Sequence, residues 1–203
     1  MPLTLAKATP SDAPRMADIH MAAFGQNNML LAQFPTEKVR QGLWISLVDK
    51  AVAEMSDPQW KVLVVKDETG EIISFAKWCL PIPEGVEYEE SPWHWPEGFN
   101  STVLDAWTAK LKMRRVGFLG RSLVIHERRG AASLLVKWGI EHSRKENVPI
   151  ALEGTMNAVP FYERLGFKSE AYISLPLQGL RKDGEEILYE EICLVFRPNL
   201  ASL

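Results

Sequence analysis

The segment Arg128-Arg129-Gly130-Ala131-Ala132-Ser133 constrains the fold most tightly, because it joins the apolar run Leu123 to Ile125 to the amphipathic stretch Leu134 to His142. An apolar run that breaks at glycine into a helical period is a strand, turn and helix unit, and it commits this region to a sheet with a helix laid against it. The start of such a helix presents backbone N–H groups without intrahelical partners, and its dipole adds about half a positive charge there. The turn therefore suits an anion, phosphate above all. Two arginines beside a glycine also describe an ordinary solvated turn, and these six residues alone leave both readings open.

The alternation continues downstream. From Val116 the pattern predicts strand (Val116 to Ile125), helix (Gly130 to Lys145), strand (Pro149 to Glu153) and helix (Ala158 to Leu165). Two further strands, Phe167 to Leu175 and Ile187 to Phe196, form an antiparallel-looking pair joined near Lys182-Asp183-Gly184. Upstream, Leu3 to Ala8 reads as a strand, and Ser11 as the N-cap of a helix with Ala13, Met16, Ala17, Ile19, His20, Ala23 and Phe24 on its buried side. Thr36 to Met55 reads as a second helix, and Trp60 to Lys66 with Ile72 to Leu80 as a hairpin about Asp67 to Glu71. The prolines from Pro81 to Pro96 open an irregular segment, followed by a weak helix over Thr102 to Lys112. The predicted class is α/β of the α+β type, with a mixed, largely antiparallel central sheet of about six to seven strands and helices on both faces. We read residues 1–203 as a single domain with an irregular insertion at about 81–115.

Composition narrows the function. A chain that is 46% hydrophobic can bury a full core, and a net charge of −3 gives no basic face for nucleic acid. Cys79 and Cys193 lie in apolar strand-like runs, which reads as buried thiols in a reducing compartment rather than a disulfide or a metal pair. No apolar run reaches the length of a membrane span, and the N-terminus has no secretory pattern, so the expectation is a cytoplasmic protein with no membrane and no metal.

A second segment, Pro160-Phe161-Tyr162-Glu163-Arg164-Leu165-Gly166-Phe167, follows the opening turn after one helix and one strand. In this order and separation the two segments resemble the GNAT superfamily of N-acetyltransferases. There a strand ends in a Q/R-x-x-G-x-G/A loop, matched here by Glu127-x-x-Gly130-x-Ala132, and a later motif ends in Y-x-x-x-G-F, matched by Tyr162 to Phe167. Trp138-Gly139 and Leu152-Glu153 look like fungal members. Two departures stand out: Glu127 replaces the usual Gln or Arg, and only His126 and Glu127 separate Ile125 from Arg128.

The resemblance implies acetyl-CoA as cosubstrate. Its pyrophosphate would be held by Arg128, Arg129, Gly130, Ala131, Ala132 and Ser133, its pantetheine arm by the backbone of Val124 and Ile125, with Asn157 and Tyr162 as further contacts. Transfer to an amine needs a neutral nitrogen, stabilisation of an oxyanion and a proton for the departing thiolate. An alkylammonium is neutral in fewer than about one molecule in a thousand at pH 7, so a base is useful. Glu153 and His126, each at a strand end, and His94 in the irregular segment are candidates; Glu153 reads equally as a structural carboxylate, and each histidine more readily as a structural side chain. Tyr162 is the acid that the resemblance implies. A free phenol is a weaker acid than a thiol, so full proton transfer would run uphill by about 2 kcal/mol, and a hydrogen bond to the thiolate is the alternative role.

Charge is divided along the chain. Pro81 to Asp105 holds six acidic residues, no Lys or Arg, and the aromatics Tyr88, Trp93, Trp95 and Phe99; Arg114 to Lys145 holds eight Lys or Arg against two Glu. The first suits a cationic amine, with Trp93, Trp95 and Glu153 as candidate contacts, and the second suits the phosphates of CoA. The leading reading is an N-acetyltransferase acting on a small-molecule amine by direct transfer in a ternary complex. A non-catalytic acyl-CoA-binding module on the same scaffold is the alternative, and a homodimer is one possible assembly.

Overall fold

Local signals set most element borders. The computed structural model describes residues 2–83, 85–112, 122–125, 130–181 and 183–198. Strand β1 spans Thr4–Lys7, and a short 3-10 turn over Pro10–Asp12 leads into helix α1, Ala13–Phe24. That entry is fixed by Thr9 and Asp12, the Thr9 N–H donating to Asp12 Oδ2 at 2.7 Å; Thr9 caps the 3-10 turn, and the N-cap of α1 is Asp12, one residue after the expected Ser11. Helix α2, Asn28–Gln33, was not expected; Asn27 caps it by accepting from the Met29 N–H at 2.8 Å. Helix α3, Glu37–Ser56, begins at Thr36, whose hydroxyl accepts from the Val39 N–H.

Strands β2, Trp60–Lys66, and β3, Ile72–Cys79, form the expected hairpin. Asp67 Oδ1 accepts the N–H groups of Thr69 and Glu71, at 2.9 and 3.0 Å, which folds the turn on itself. After the irregular segment come α4, Ser101–Lys112, and β4, Ser122–Ile125. Helix α5, Ala131–Glu146, leads to β5, Ile150–Thr155; then α6, Val159–Arg164, β6, Lys168–Leu177, and β7, Ile187–Phe196, complete the fold.

The single central sheet is corrected. The described strands form two sheets, one of four strands in the order β1-β2-β3-β4 and one of three in the order β5-β7-β6, and every described pairing is antiparallel. Strand β4 is thus one edge and β5 another. A pattern of apolar runs identifies strands but not which edges meet, and that missing ladder is why one sheet was read from the sequence.

Three layers of core follow. Helices α1 and α3 cover one face of the first sheet through Met16, Ile19 and Ala51 against Trp60, Val62 and Val64. Its other face shares a core with the second sheet, filled by Leu135 and Ile140 of α5. That packing is close enough that a Cβ at Gly139 would lie 2.4 Å from the Trp78 ring. The far face of the second sheet, with Ile173, Leu177 and Val195, is covered by α2 and α4 through Met29 and Trp107. Among the described residues no helix is long and apolar enough to cross a membrane.

Candidate active site

The strand β5 separates two half-sites. Its residues alternate, so Leu152 and Gly154 face the core under α5, while Ala151 and Glu153 face α2 and α4. On the α5 side the backbone turns at Gly130, which caps the helix in the left-handed conformation at φ 86°. A glycine is favoured there because a side chain would strain the backbone. The first-turn amides of Ala131, Ala132 and Ser133 follow, with Ala131 in the same core as Tyr162. Arg128, Arg129 and His126, with Glu127, lie outside the described residues. Val124 and Ile125 pair through their backbones with Phe75 and Ser74 on the inner side of β4, leaving its outer side as a sheet edge.

Tyr162 is buried. Its ring packs edge-on against Phe161 and Phe167, and a Cβ at Gly154 would lie 3.4 Å from it. Burial pushes the phenol well above its ordinary value of 10. As an acid it is therefore weaker than the free side chain, which favours hydrogen bonding over proton delivery. Asn157 is exposed in the turn after β5 and lines a shallow groove with Asn27 and Tyr189.

On the other face, Glu153 meets a residue that sequence reasoning missed. Glu153 lies opposite Cys193 and Glu191 opposite Thr155, which makes the two acids diagonal neighbours on one face of the β5–β7 ladder. Both line a cavity of about 370 Å³. Burial, with the nearby charge of Glu153, raises the Glu191 carboxyl from 4.5 to about 7. Tyr189 donates to Glu191 Oε1 at 2.6 Å and accepts from Asn27 Nδ2 at 3.2 Å. The available signal was Glu190-Glu191 in the middle of an apolar strand, since two adjacent acids there must face opposite ways.

The opposite walls are aromatic. Trp93 and Trp95 stack at 4.6 Å with their planes 2° apart, Phe34 lies against Trp95, and Trp107 meets Tyr189 edge-on. His20 closes one end of the cavity, its imidazole held near pKa 4 by burial and the Lys77 charge, hence neutral at pH 7. The structure thus brings Glu153, Trp93 and Trp95 around one cavity and places Tyr162 across β5 from them.

The insertion that carries the tryptophans is pinned by ions. Buried Lys50 lies 3.0 Å from Glu90 and 5.6 Å from the Trp93 ring centre, and it donates to the Ser91 carbonyl at 2.5 Å. Glu54 joins Lys50, at 3.9 Å, to Lys77, at 2.7 Å. Tyr88 donates to Asp57 at 2.6 Å, Ser46 donates to the His94 carbonyl, and Pro96 sits where Gly42 has no Cβ. No described group of three or more His, Cys, Asp or Glu is arranged to hold a metal.

Solved structures with this architecture decide the fold. A histone acetyltransferase HPA2 and related acetyltransferase from Corynebacterium glutamicum matches over 100% of both chains at 20% identity and a TM-score of 0.63. The chain carries the GNAT fold. The yncA protein of Salmonella typhimurium, solved with its cofactor acetyl-CoA, shares the fold at 14% identity and a TM-score of 0.53, over 99% of this chain and 96% of its own. A spermidine N-acetyltransferase chimera from Vibrio cholerae and hSSAT does so at 15% identity and 0.53, over 96% and 95%. No family model and no curated protein matches the sequence. The turn at Gly130 lies on the α5 side of β5, and the Glu153 cavity lies on its other side.

Proposed function

We propose that the chain is an acetyl-CoA-dependent N-acetyltransferase that moves the acetyl group directly to a small-molecule amine in a ternary complex. The observation that carries this reading is the aromatic cavity whose charged lining, among the described residues, is the carboxyls Glu153 and Glu191, with burial raising that of Glu191 to about 7. A base poised near the working pH is what amine activation requires. The GNAT fold supports it.

The cosubstrate side fits the same chemistry. The first-turn amides of Ala131 to Ser133, which follow the left-handed turn at Gly130, are the groups that would receive the pyrophosphate. The edge of β4 offers Val124 and Ile125 backbone groups to an extended ligand arm. Arg128 and Arg129 would add charge, and Asn157 a polar contact.

On the acceptor side, an ammonium proton passes to the Glu191 carboxylate. With Glu191 near 7 this step is uphill by about 5 kcal/mol, against about 8 kcal/mol for an ordinary glutamate. The freed nitrogen lone pair attacks the thioester carbonyl carbon, the carbon–sulfur bond breaks with its electron pair on sulfur, and the second nitrogen proton ends on the thiol. Tyr162 donates a hydrogen bond to the departing sulfur, and Glu153 holds the ammonium while Glu191 takes its proton.

The test joins binding and turnover. Acetyl-CoA should raise the melting temperature, and a panel of simple amines, polyamines, aminoglycosides and peptide N-termini should release free thiol from it with at least one member. No thermal shift at saturating acetyl-CoA sinks the reading. A shift without turnover on any amine transfers the support to a non-catalytic acyl-CoA-binding module.

A further inference from the structure

The acceptor cavity is unevenly built. Its acids sit together on the β5–β7 floor, while the walls contributed by α3 and the insertion are apolar: Leu43, Leu47, Trp93 and Trp95, with Phe34 beside them. A chain of several ammonium groups, such as a polyamine, needs acids spaced along its length, because each cation taken from water onto an apolar wall costs free energy. A sugar amine would set hydroxyls against that apolar wall, since the polar lining residues His20, Asn27 and Gln33 lie on the α1 and α2 side. A monoamine on a flat apolar body matches both parts, the ammonium on the carboxyls and the body against the rims of the stacked indoles, whose faces are taken up by Lys50, by each other and by Phe99.

We infer that the acceptor is an aryl- or other flat-bodied alkylamine carrying one ammonium group, seated with its nitrogen at Glu153 and Glu191 and its ring against Trp93 and Trp95. This rests on the transferase reading for the word acceptor, but its recognition chemistry stands on the cavity alone. The tryptophan wall is preorganised, because Lys50 holds Trp93 and the Ser91 carbonyl from α3 and Phe99 lies against Trp95. The ring therefore enters a formed slot instead of ordering a loose one.

The experiment titrates the intrinsic tryptophan fluorescence of the whole chain with 2-phenylethylamine, n-propylamine and spermidine, with and without acetyl-CoA, at about 0.15 M salt. Phenylethylamine is expected to bind at least about 10-fold more tightly than either other amine, the gain from burying one aromatic ring. Trp95→Ala should remove most of its advantage over propylamine, and Glu191→Gln should weaken both monoamines together. If either variant fails to fold, the order of the three ligands on the unmodified protein decides. Spermidine binding as tightly as phenylethylamine, or phenylethylamine binding no tighter than propylamine, overturns the inference. Thiol release is followed in the same samples. Its absence with all three amines removes the transferase reading for them and leaves the binding order to judge the cavity.

Discussion

Glu191 draws its chemistry from where the strand puts it. Register places it diagonal to Glu153 and against the Tyr189 hydroxyl, and burial holds its proton on to about pH 7. In the proposed mechanism kcat/KM should rise with pH to a plateau with an apparent midpoint near 7, set by Glu191. Glu191→Gln should cost about 100-fold or more in kcat/KM and erase that midpoint; a rate profile over pH that keeps it would assign the ionisation elsewhere. Tyr162→Phe should lower kcat while leaving acetyl-CoA affinity nearly unchanged, measured by calorimetric titration beside turnover. Unchanged kcat would leave Tyr162 as a packing residue only. At this scale the sequence offered Tyr162, Glu153, Trp93 and Trp95 as candidates through motif and composition. It did not show Glu191, because a midstrand acid becomes functional only through a cross-strand neighbour that linear spacing does not reveal.

Two elements set the geometry of the site, α5 and α3. Helix α5 approaches its sheet at Gly139, where a methyl would lie 2.4 Å from the Trp78 ring. Gly139→Ala should therefore destabilise the protein by about 1–3 kcal/mol despite the better helix propensity of alanine, as read from urea unfolding. Helix α3 carries Lys50 and Glu54, which tie the insertion to β3 through Glu90 and Lys77. Glu54→Leu removes the carboxylate beside buried Lys77, while Lys50 keeps Glu90, and should cost about 3–5 kcal/mol in the same assay. Loss of less than about 1 kcal/mol would mean that water or Glu90 compensates the lysines. Helices and strands with clear periodicity were legible almost to the residue, as with β2 and β7. Helix α2 was not, since six residues give too short a period, and neither was the anchoring of the insertion, since Lys50 and Glu90 meet only in three dimensions.

The whole molecule has two buried groups that oppose one another in their dependence on pH. Glu191 keeps a proton between its ordinary 4.5 and about 7 that the unfolded chain releases, so its contribution weakens as pH rises through that window. His20 refuses a proton between 6.5 and about 4 that the unfolded chain takes up, so its contribution weakens as pH falls. Where the windows overlap, the slopes cancel. Stability of the unmodified protein should be nearly flat in these two terms from pH 5 to 7, whereas Glu191→Gln, with His20 unopposed, should be about 2 kcal/mol less stable at pH 5 than at pH 7 in urea titrations. A flat variant would show that His20 charges freely in the fold. The GNAT outline was legible at this scale because two motifs at fixed order imply a chain path; the separation into two sheets was not, because edge pairing is decided by geometry after the strands exist. That separation has a consequence for change over time. The acids belong to a strand ladder whose register cannot slip without inverting its faces, whereas the tryptophans belong to an irregular strap that can exchange side chains between its anchors at Tyr88, Glu90, Ser91 and Pro96. Under the proposed function, acceptor preference can therefore drift or be engineered through side chains of the strap, with the carboxyls of the β5–β7 ladder left in place.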